Sequence, residues 1–176
     1  MNVKNTLLNY YHLDEWEKAK KIIQYFPDVL KEKLLNRKPI LFMAVSDRRH
    51  EWVKNLLDLG IDVHVPFKTR YILAEALAKQ DIISIRLLVD AGADVNTTDT
   101  YGQESLPVAI VQDNLEITQY LIDNGALYHS FEDAEDIQSL EMVELLKKNK
   151  HIFTEKGLEC WEEEKLALLL KEPKKK

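Results

Sequence analysis

Apolar and polar residues alternate along this chain in blocks that predict pairs of helices. The clearest block is residues 85–104, in which an apolar run at 87–89 stops at Gly92 and a polar segment follows. Glycine just past a helix adopts the left-handed backbone that ends it, and a segment such as Asp99–Gly102 forms a turn. The block therefore predicts a joint between two copies of a repeated helical unit.

Three stretches share this pattern when the chain is aligned with itself: Pro39–Val65, Tyr71–Thr97 and Glu104–Ser130. The positions that match in all three are Leu41, Leu73 and Leu106, then Ala44, Ala76 and Ala109, then Leu56, Leu88 and Leu121, and finally Gly60, Gly92 and Gly125, with glycine intervals of 32 and 33 residues. Alanine lets neighbouring helix pairs approach closely, and leucine fills the space between layers. We therefore predict an all-α fold in which each thin unit buries its apolar face against the next.

The repeated unit resembles the ankyrin repeat, a turn followed by two antiparallel helices. Residues 87–96, Leu-Leu-Val-Asp-Ala-Gly-Ala-Asp-Val-Asn, match the family's characteristic ending, and Asp99–Gly102 fits the turn of its finger. The family's Thr-Pro-Leu-His stretch is replaced by PILF, YILA and ESLP in the three copies. The resemblance implies a solenoid of stacked antiparallel helix pairs, with degenerate capping repeats at both ends, that binds other proteins.

We predict a single domain over residues 1–176. Its parts would be an N-terminal capping unit at 1–35, three repeats at 36–130, a shortened repeat and C-terminal cap at 131–171, and a frayed tail at 172–176. The capping unit follows from apolar residues at helical spacing before residue 27. The shortened repeat follows from Leu140–Leu146, which copies the second helix of the third unit.

Charge is distributed unevenly along the chain, whose formal net charge is −6. Residues 1–86 hold 15 Lys and Arg against 11 Asp and Glu, whereas residues 87–146 hold 13 acidic residues and neither Lys nor Arg. One interpretation is a solvated helical surface, although such a surface normally mixes both signs. The other is a surface that attracts and steers a basic protein, and that disfavours nucleic acid and anionic lipid.

Motifs of common catalytic and metal sites are absent from the sequence, which has no phosphate-binding glycine loop, no HExxH and no GxSxG. The histidines lack metal-ligand spacing, and the single cysteine, Cys160, excludes an intramolecular disulfide and a cysteine-rich zinc site. Glu132–Asp136 lacks the glycine and the ligand spacing of a calcium loop. We therefore expect no enzyme activity, no cofactor and no metal.

The hydropathy pattern argues against a membrane protein. No apolar run approaches the roughly 20 residues that span a bilayer, and the opening segment is too polar for a secretory signal. We expect a soluble, cytoplasmic protein.

In ankyrin-like stacks, the finger tips and the exposed side of the first helices form a concave wall that binds proteins. Carried over by position, and extended to the acidic cluster after the third repeat, the predicted protein-binding residues are Phe67, Lys68, Arg70, Lys79, Asp99, Thr100, Tyr101, Gln103, Gln112, Asp113, Glu132, Asp133, Glu135 and Asp136. Phe67 and Tyr101 are aromatic residues at predicted finger tips. Each of them either anchors a partner or folds back onto its own finger.

The resemblance and the charge distribution together predict a non-enzymatic binding module. A basic protein partner, such as a toxin or nuclease domain, would make it an inhibitor or a toxin-immunity protein. The alternative is a scaffold or adaptor that assembles complexes through its concave face. Direct contact with nucleic acid or a membrane is not expected, and the free protein is expected to be a monomer.

Overall fold

The structure, a computed structural model, describes residues 2–31, 38–64, 67, 71–98, 104–128 and 139–153. The α-helices of these residues are α1 (Val3–His12), α2 (Trp16–Tyr25), α3 (Ile40–Ser46), α4 (His50–Asp58), α5 (Ile72–Ala78), α6 (Ile82–Asp90), α7 (Ser105–Val111), α8 (Leu115–Asp123) and α9 (Leu140–Lys148). Two 3₁₀ turns, Pro27–Lys31 and Lys150–Ile152, follow α2 and α9. The first eight helices come in four consecutive pairs, as the repeated pattern predicts.

The chain forms two compact units, Met1–Ala93 and Asp94–Lys176. In the first unit, α1 packs on α2, α3 on α4 and α5 on α6. There, α3 also packs on α5 and α4 on α6, so corresponding helices of successive pairs lie against each other. In the second unit, α7 packs on α8, and α8 packs on α9. The finer division of the domain into caps and repeats stays a prediction.

The matched alanines and leucines form the centre of each helix pair, as predicted. Ala44, Ala76 and Ala109 are completely buried, and so are Leu56, Leu88 and Leu121. Because alanine ends at Cβ, α3 and α5 of the first unit can pack backbone close to backbone, while the leucines fill the space at the second helices. Burial of a full leucine side chain contributes about 1.5–3 kcal/mol, so these repeated positions supply much of the stability.

Left-handed residues recur in the turns before and after the second helices. Gly60, Gly92 and Gly125 follow α4, α6 and α8 with φ of +76°, +94° and +84°, which confirms the glycine joints. The turn that precedes each second helix also has a left-handed residue, but not a glycine. These residues are Asp14, Arg48, Gln80 and Asp113, with φ of 59°, 53°, 51° and 53°. In each copy the left-handed residue lies two positions before the first residue of the second helix, but its residue type varies.

Helices lie within the predicted terminal elements, whose assignment as a capping unit and a shortened repeat stays a prediction. Helices α1 and α2 form the predicted N-terminal pair, and α9 covers the second helix of the shortened repeat. Tyr128 N donates to the Ile152 carbonyl at 2.8 Å, and the Tyr128 and Phe153 rings lie 5.5 Å apart, so the segment after α9 pairs with the end of the third repeat. The predicted C-terminal cap and tail, 154–176, and the predicted loss of a finger around 131–138 lie outside the described residues.

Thr118 on α8 is a polar residue in the core, and its replacement by valine is expected to raise the free energy of unfolding by about 1 kcal/mol. Thr118 is completely buried, and its hydroxyl has no hydrogen-bond partner in the described part of the chain. The aligned residues of the first unit are Val53 and Ile85, which are also buried. Valine therefore replaces an unsatisfied hydroxyl by a methyl group of similar size.

Urea unfolding of wild type and Thr118→Val measures this difference. Thr118→Ser is the control, since it keeps the hydroxyl and loses a buried methyl, and we expect it to be less stable than wild type. A valine variant less stable than wild type would mean that the Thr118 hydroxyl is satisfied in solution.

Candidate protein-binding surface

Four of the predicted binding residues belong to the described part of the chain. Phe67 and Lys79 lie in the first unit, and Gln112 and Asp113 lie in the second. The other predicted residues lie outside the described residues: Lys68, Arg70, Asp99, Thr100, Tyr101, Gln103, Glu132, Asp133, Glu135 and Asp136. Their part in binding stays a prediction.

Phe67 is buried, which corrects the interpretation of this residue as an exposed aromatic anchor. Only 7% of it is accessible, and its ring lies 4.8 Å from the ring of Phe42 on α3. Ala74 and Pro107 occupy the position of Phe42 in the other two copies and are smaller. The Phe42 ring is therefore the largest side chain at this position, and Phe67 packs on it. Folding back onto the repeats removes both rings from water, and this second interpretation holds for Phe67.

A chain of polar contacts links the first helices of the first unit. Lys38 Nζ donates to Ser46 Oγ at 3.3 Å, and Ser46 Oγ donates to Glu75 Oε1 at 2.6 Å. Lys79 follows α5 and is exposed, while its backbone carbonyl accepts a hydrogen bond from the Arg48 guanidinium. Lys79 therefore has an exposed side chain, while Lys38, Ser46 and Glu75 contact one another within the unit.

An aromatic cluster with buried polar contacts joins the first two helix pairs. The Trp52 ring lies 4.9 Å from Tyr11 and 5.0 Å from Trp16, each edge to face, and its Nε1 donates to Asp14 Oδ1 at 2.6 Å. The Tyr11 hydroxyl donates to Asp47 Oδ2 at 2.7 Å. Burial and this bond raise the pKa of the Tyr11 phenol well above its usual value, so the phenol stays neutral and keeps its proton for Asp47.

The next polar contact along the same edge joins α4 to α6. His50 Nε2 lies 2.9 Å from both carboxylate oxygens of Asp81, and the Ser84 hydroxyl donates to Asp81 Oδ2 at 2.7 Å. Burial alone raises the pKa of the Asp81 carboxyl, but the bonds from Ser84 and His50 outweigh it and hold the pKa below its usual value. The stability that this carboxylate contributes is therefore present above about pH 4 and is lost as the pH falls further.

Sequence reasoning missed these cross-repeat contacts, which use Asp14, Asp47 and Asp81 as acceptors. The available signal was the register of the turn before each second helix, where left-handed residues recur at Asp14, Arg48, Gln80 and Asp113. Residues at or beside this turn contact the neighbouring pair. In the first unit, these contacts stabilise the packing of successive helix pairs.

In the second unit, Asp113 positions the start of α9. Asp113 is exposed, and its Oδ1 accepts a hydrogen bond from the Ser139 hydroxyl. The same Ser139 oxygen caps α9 by accepting from Met142 N at 3.1 Å. Gln112, also a predicted binding residue, is half-buried beside Asp113, and its Oε1 has no hydrogen-bond partner among the described residues.

The acidic character of the second unit is on its surface. Among its described residues, the exposed acidic ones are Asp94, Asp113, Glu116, Asp123, Glu141 and Glu144. Basic residues of the described part of this unit appear only at the end of α9 and directly after it, from Lys147 onward. The surface of α8 and the first part of α9 therefore carries carboxylates without lysine or arginine.

Within the described ranges, no group of three or more histidine, cysteine or acidic side chains is arranged to hold a metal ion. None of the described helices is long and apolar enough to cross a membrane.

Comparisons with known proteins agree with the helix pairs and with their repeated joints. No curated protein matches the chain. The solved structure of the ankyrin repeat domain of Bcl-3, titled a unique member of the IkappaB protein family, is similar with a TM-score of 0.55 and 25% sequence identity. The match covers 61% of this chain and 50% of that one, so the chain spans half the length of that structure. The family model for ankyrin repeats, in three copies, matches residues 41–132, more than half of the sequence. The predicted fold is thereby confirmed, and the chain belongs to the ankyrin-repeat family.

Proposed function

We propose that this chain is an intracellular inhibitor that binds a basic protein, such as a cationic toxin or a nuclease domain, in the manner of an immunity protein. Ankyrin repeats are typically non-enzymatic modules that bind protein partners. The observation that carries the more specific proposal is the absence of Lys and Arg from residues 87–146, against 13 acidic residues.

Exposed acidic side chains in the described part of the second unit, Asp94, Asp113, Glu116, Asp123, Glu141 and Glu144, support a role in binding. Neighbouring carboxylates repel one another, and this repulsion disfavours the folded state. A basic partner turns the repulsion into attraction, and the field of the acidic surface accelerates its approach. Selection for solubility alone is satisfied by mixed charges of the kind found in residues 1–86.

The alternative, a scaffold that relies on aromatic anchors, depended on Phe67 and Tyr101. Phe67 is buried against Phe42, so it offers a partner little surface. Charge is therefore the better supported basis of recognition in this chain.

The test is to purify the full chain with its native partner, identify the partner by mass spectrometry, and measure affinity at rising salt. We expect a basic partner whose affinity falls at least about tenfold between 0.05 and 0.5 M salt, because ions screen surface charges beyond a few ångströms. Reversing Glu132, Asp133, Glu135 and Asp136 to lysine should weaken binding to a similar extent.

A matched comparison reverses two exposed acidic residues in each unit. Exposed Glu51 and Asp58 on α4, reversed to lysine, should leave affinity within about twofold of wild type, while the exposed pair Asp123 and Glu144 of the second unit should not. Affinity that is indifferent to salt and to both sets of reversals would remove the inhibitor proposal in favour of the scaffold.

A further inference from the structure

Three exposed apolar side chains meet at one edge of the second unit. Val111 is the last residue of α7, Leu115 the first of α8 and Leu140 the first of α9, and they are 41%, 37% and 54% exposed. We call this group, with Asp113 and Ser139 between its members, the α7–α9 edge. Apolar residues that are exposed singly are ordinary, whereas a group in one place marks a surface for a partner.

A single hydrogen bond shows that these residues are neighbours. Asp113 is two residues from both Val111 and Leu115, and its carboxylate accepts from Ser139, which directly precedes Leu140. Two residues span at most about 7 Å, so all three apolar side chains are attached close to this bond. The turn between α7 and α8 is tight, since Asp113 N donates to Ile110 O at 2.9 Å and Asn114 N donates to Ala109 O at 3.2 Å.

The first residues of the second helices are half-buried in the first unit. Leu115 and Leu140, each the first residue of its helix, occupy the position of Trp16, His50 and Ile82, which begin α2, α4 and α6. The Trp16 ring packs on Trp52 at 5.0 Å, and His50 contacts the Asp81 carboxylate at 2.9 Å. The second unit instead places leucine there, and Leu115 and Leu140 remain 37% and 54% exposed, so part of the stability that their burial would contribute is not gained within the unit.

The charges beside these side chains define what fits on them. Asp113, Glu116 and Glu141 are exposed at the same turn and in the first turns of α8 and α9. Lysine and arginine are absent from residues 87–146. A second copy of this chain would bring carboxylates against carboxylates if the edge met itself, which is unfavourable. A segment with an apolar face bordered by lysine or arginine is complementary in both respects.

We propose that the α7–α9 edge docks a basic amphipathic segment of a protein partner, with apolar side chains on Leu115 and Leu140 and cationic side chains beside Asp113 and Glu141. This inference rests on the proposed function, because it requires a basic partner, and it adds the place and the chemistry of the contact.

The test uses the full chain and two synthetic helical peptides of roughly 18 residues. One peptide has leucine on one face and lysine on the other, and the second has glutamate in place of lysine. Amide chemical shifts of the labelled protein locate binding, and titration gives the affinity. We expect the lysine peptide to shift the amides of residues 111–116 and 139–143, and the glutamate peptide to shift none.

The variant Leu115→Gln/Leu140→Gln should weaken binding of the lysine peptide at least about tenfold, while Leu13→Gln should not change it. Leu13 is the matched control, since it is 60% exposed and lies in the first unit. If the peptide binds but shifts other acidic regions, the edge is not the docking site, although a basic partner remains supported. If it binds nowhere, or if the leucine variant abolishes self-association of the free chain, the inference is overturned.

Discussion

Replacing Trp52 by alanine is expected to lower the free energy of unfolding by about 3–5 kcal/mol. Trp52 is 2% exposed and fills the space between the first two helix pairs, where its ring meets Tyr11 at 4.9 Å and Trp16 at 5.0 Å. Alanine leaves a cavity there and removes the hydrogen bond to Asp14. Since single domains are stable by about 5–15 kcal/mol, this loss is a large fraction of the total stability.

Urea unfolding followed by circular dichroism measures this loss. Trp52→Phe keeps most of the ring volume but lacks the N–H, and Asp14→Ala removes its acceptor. Trp52→Phe, Asp14→Ala and the double variant form a double-mutant cycle. This cycle separates the free energy of the hydrogen bond from that of the ring packing. Truncation of Ile83, which is 50% exposed on α6, to alanine is the control and should cost less than about 0.5 kcal/mol. A Trp52→Ala variant as stable as this control would contradict the role of the cluster.

The helix pairs were predictable from the sequence because burial repeats with the chain. Ala44, Ala76 and Ala109 recur in register, and the structure buries each of them completely. The glycine joints were predictable for a similar reason, since a left-handed residue at Gly60, Gly92 or Gly125 restricts the choice of residue. Both signals are local or periodic, so one sequence is sufficient to detect them.

The polar contacts between repeats were not predictable in this way. Trp52 and Asp14 are 38 residues apart, and His50 and Asp81 are 31 apart. Each contact uses a different pair of residue types, so nothing in the sequence repeats from one to the next. The burial of Phe67 was not predictable either, because it depends on the contact with Phe42. The residues aligned with Phe42 in the other copies are Ala74 and Pro107, so the repeats do not show this contact.

The sequence predicted the charge of the candidate surface, but it did not predict which exposed residues form that surface. The acidic block is a property of the sequence, and four of the six exposed acidic residues described in the second unit lie on α8 and α9. The α7–α9 edge could not be predicted from the sequence, because Val111 and Leu115 fit the apolar pattern of core helices. Only the structure distinguishes them from Ile110 and Ile117, which are buried one or two residues away.

Replacing Asn96 by alanine is expected to lower the free energy of unfolding by about 2 kcal/mol, the second largest effect that we predict. Asn96 Nδ2 donates to the Gly125 carbonyl at 3.0 Å, and Leu127 N donates to Asn96 Oδ1 at 2.8 Å. One side chain thus satisfies a backbone acceptor and a backbone donor at the joint that follows α8. Alanine leaves both without their partner, and each loss costs about 1 kcal/mol.

His64 provides the matched control, since it occupies the aligned position in the first unit. The backbone N–H of each residue donates to an aspartate two residues earlier at 2.8 Å, Asp62 for His64 and Asp94 for Asn96, and alanine retains this bond in both variants. His64→Ala should therefore cost less than about 0.5 kcal/mol, as expected of an exposed residue. Hydrogen exchange adds a local measurement, because the Leu127 amide should exchange faster in Asn96→Ala than in wild type. Equal losses in the two variants would show that the side chain of Asn96 does not hold this joint.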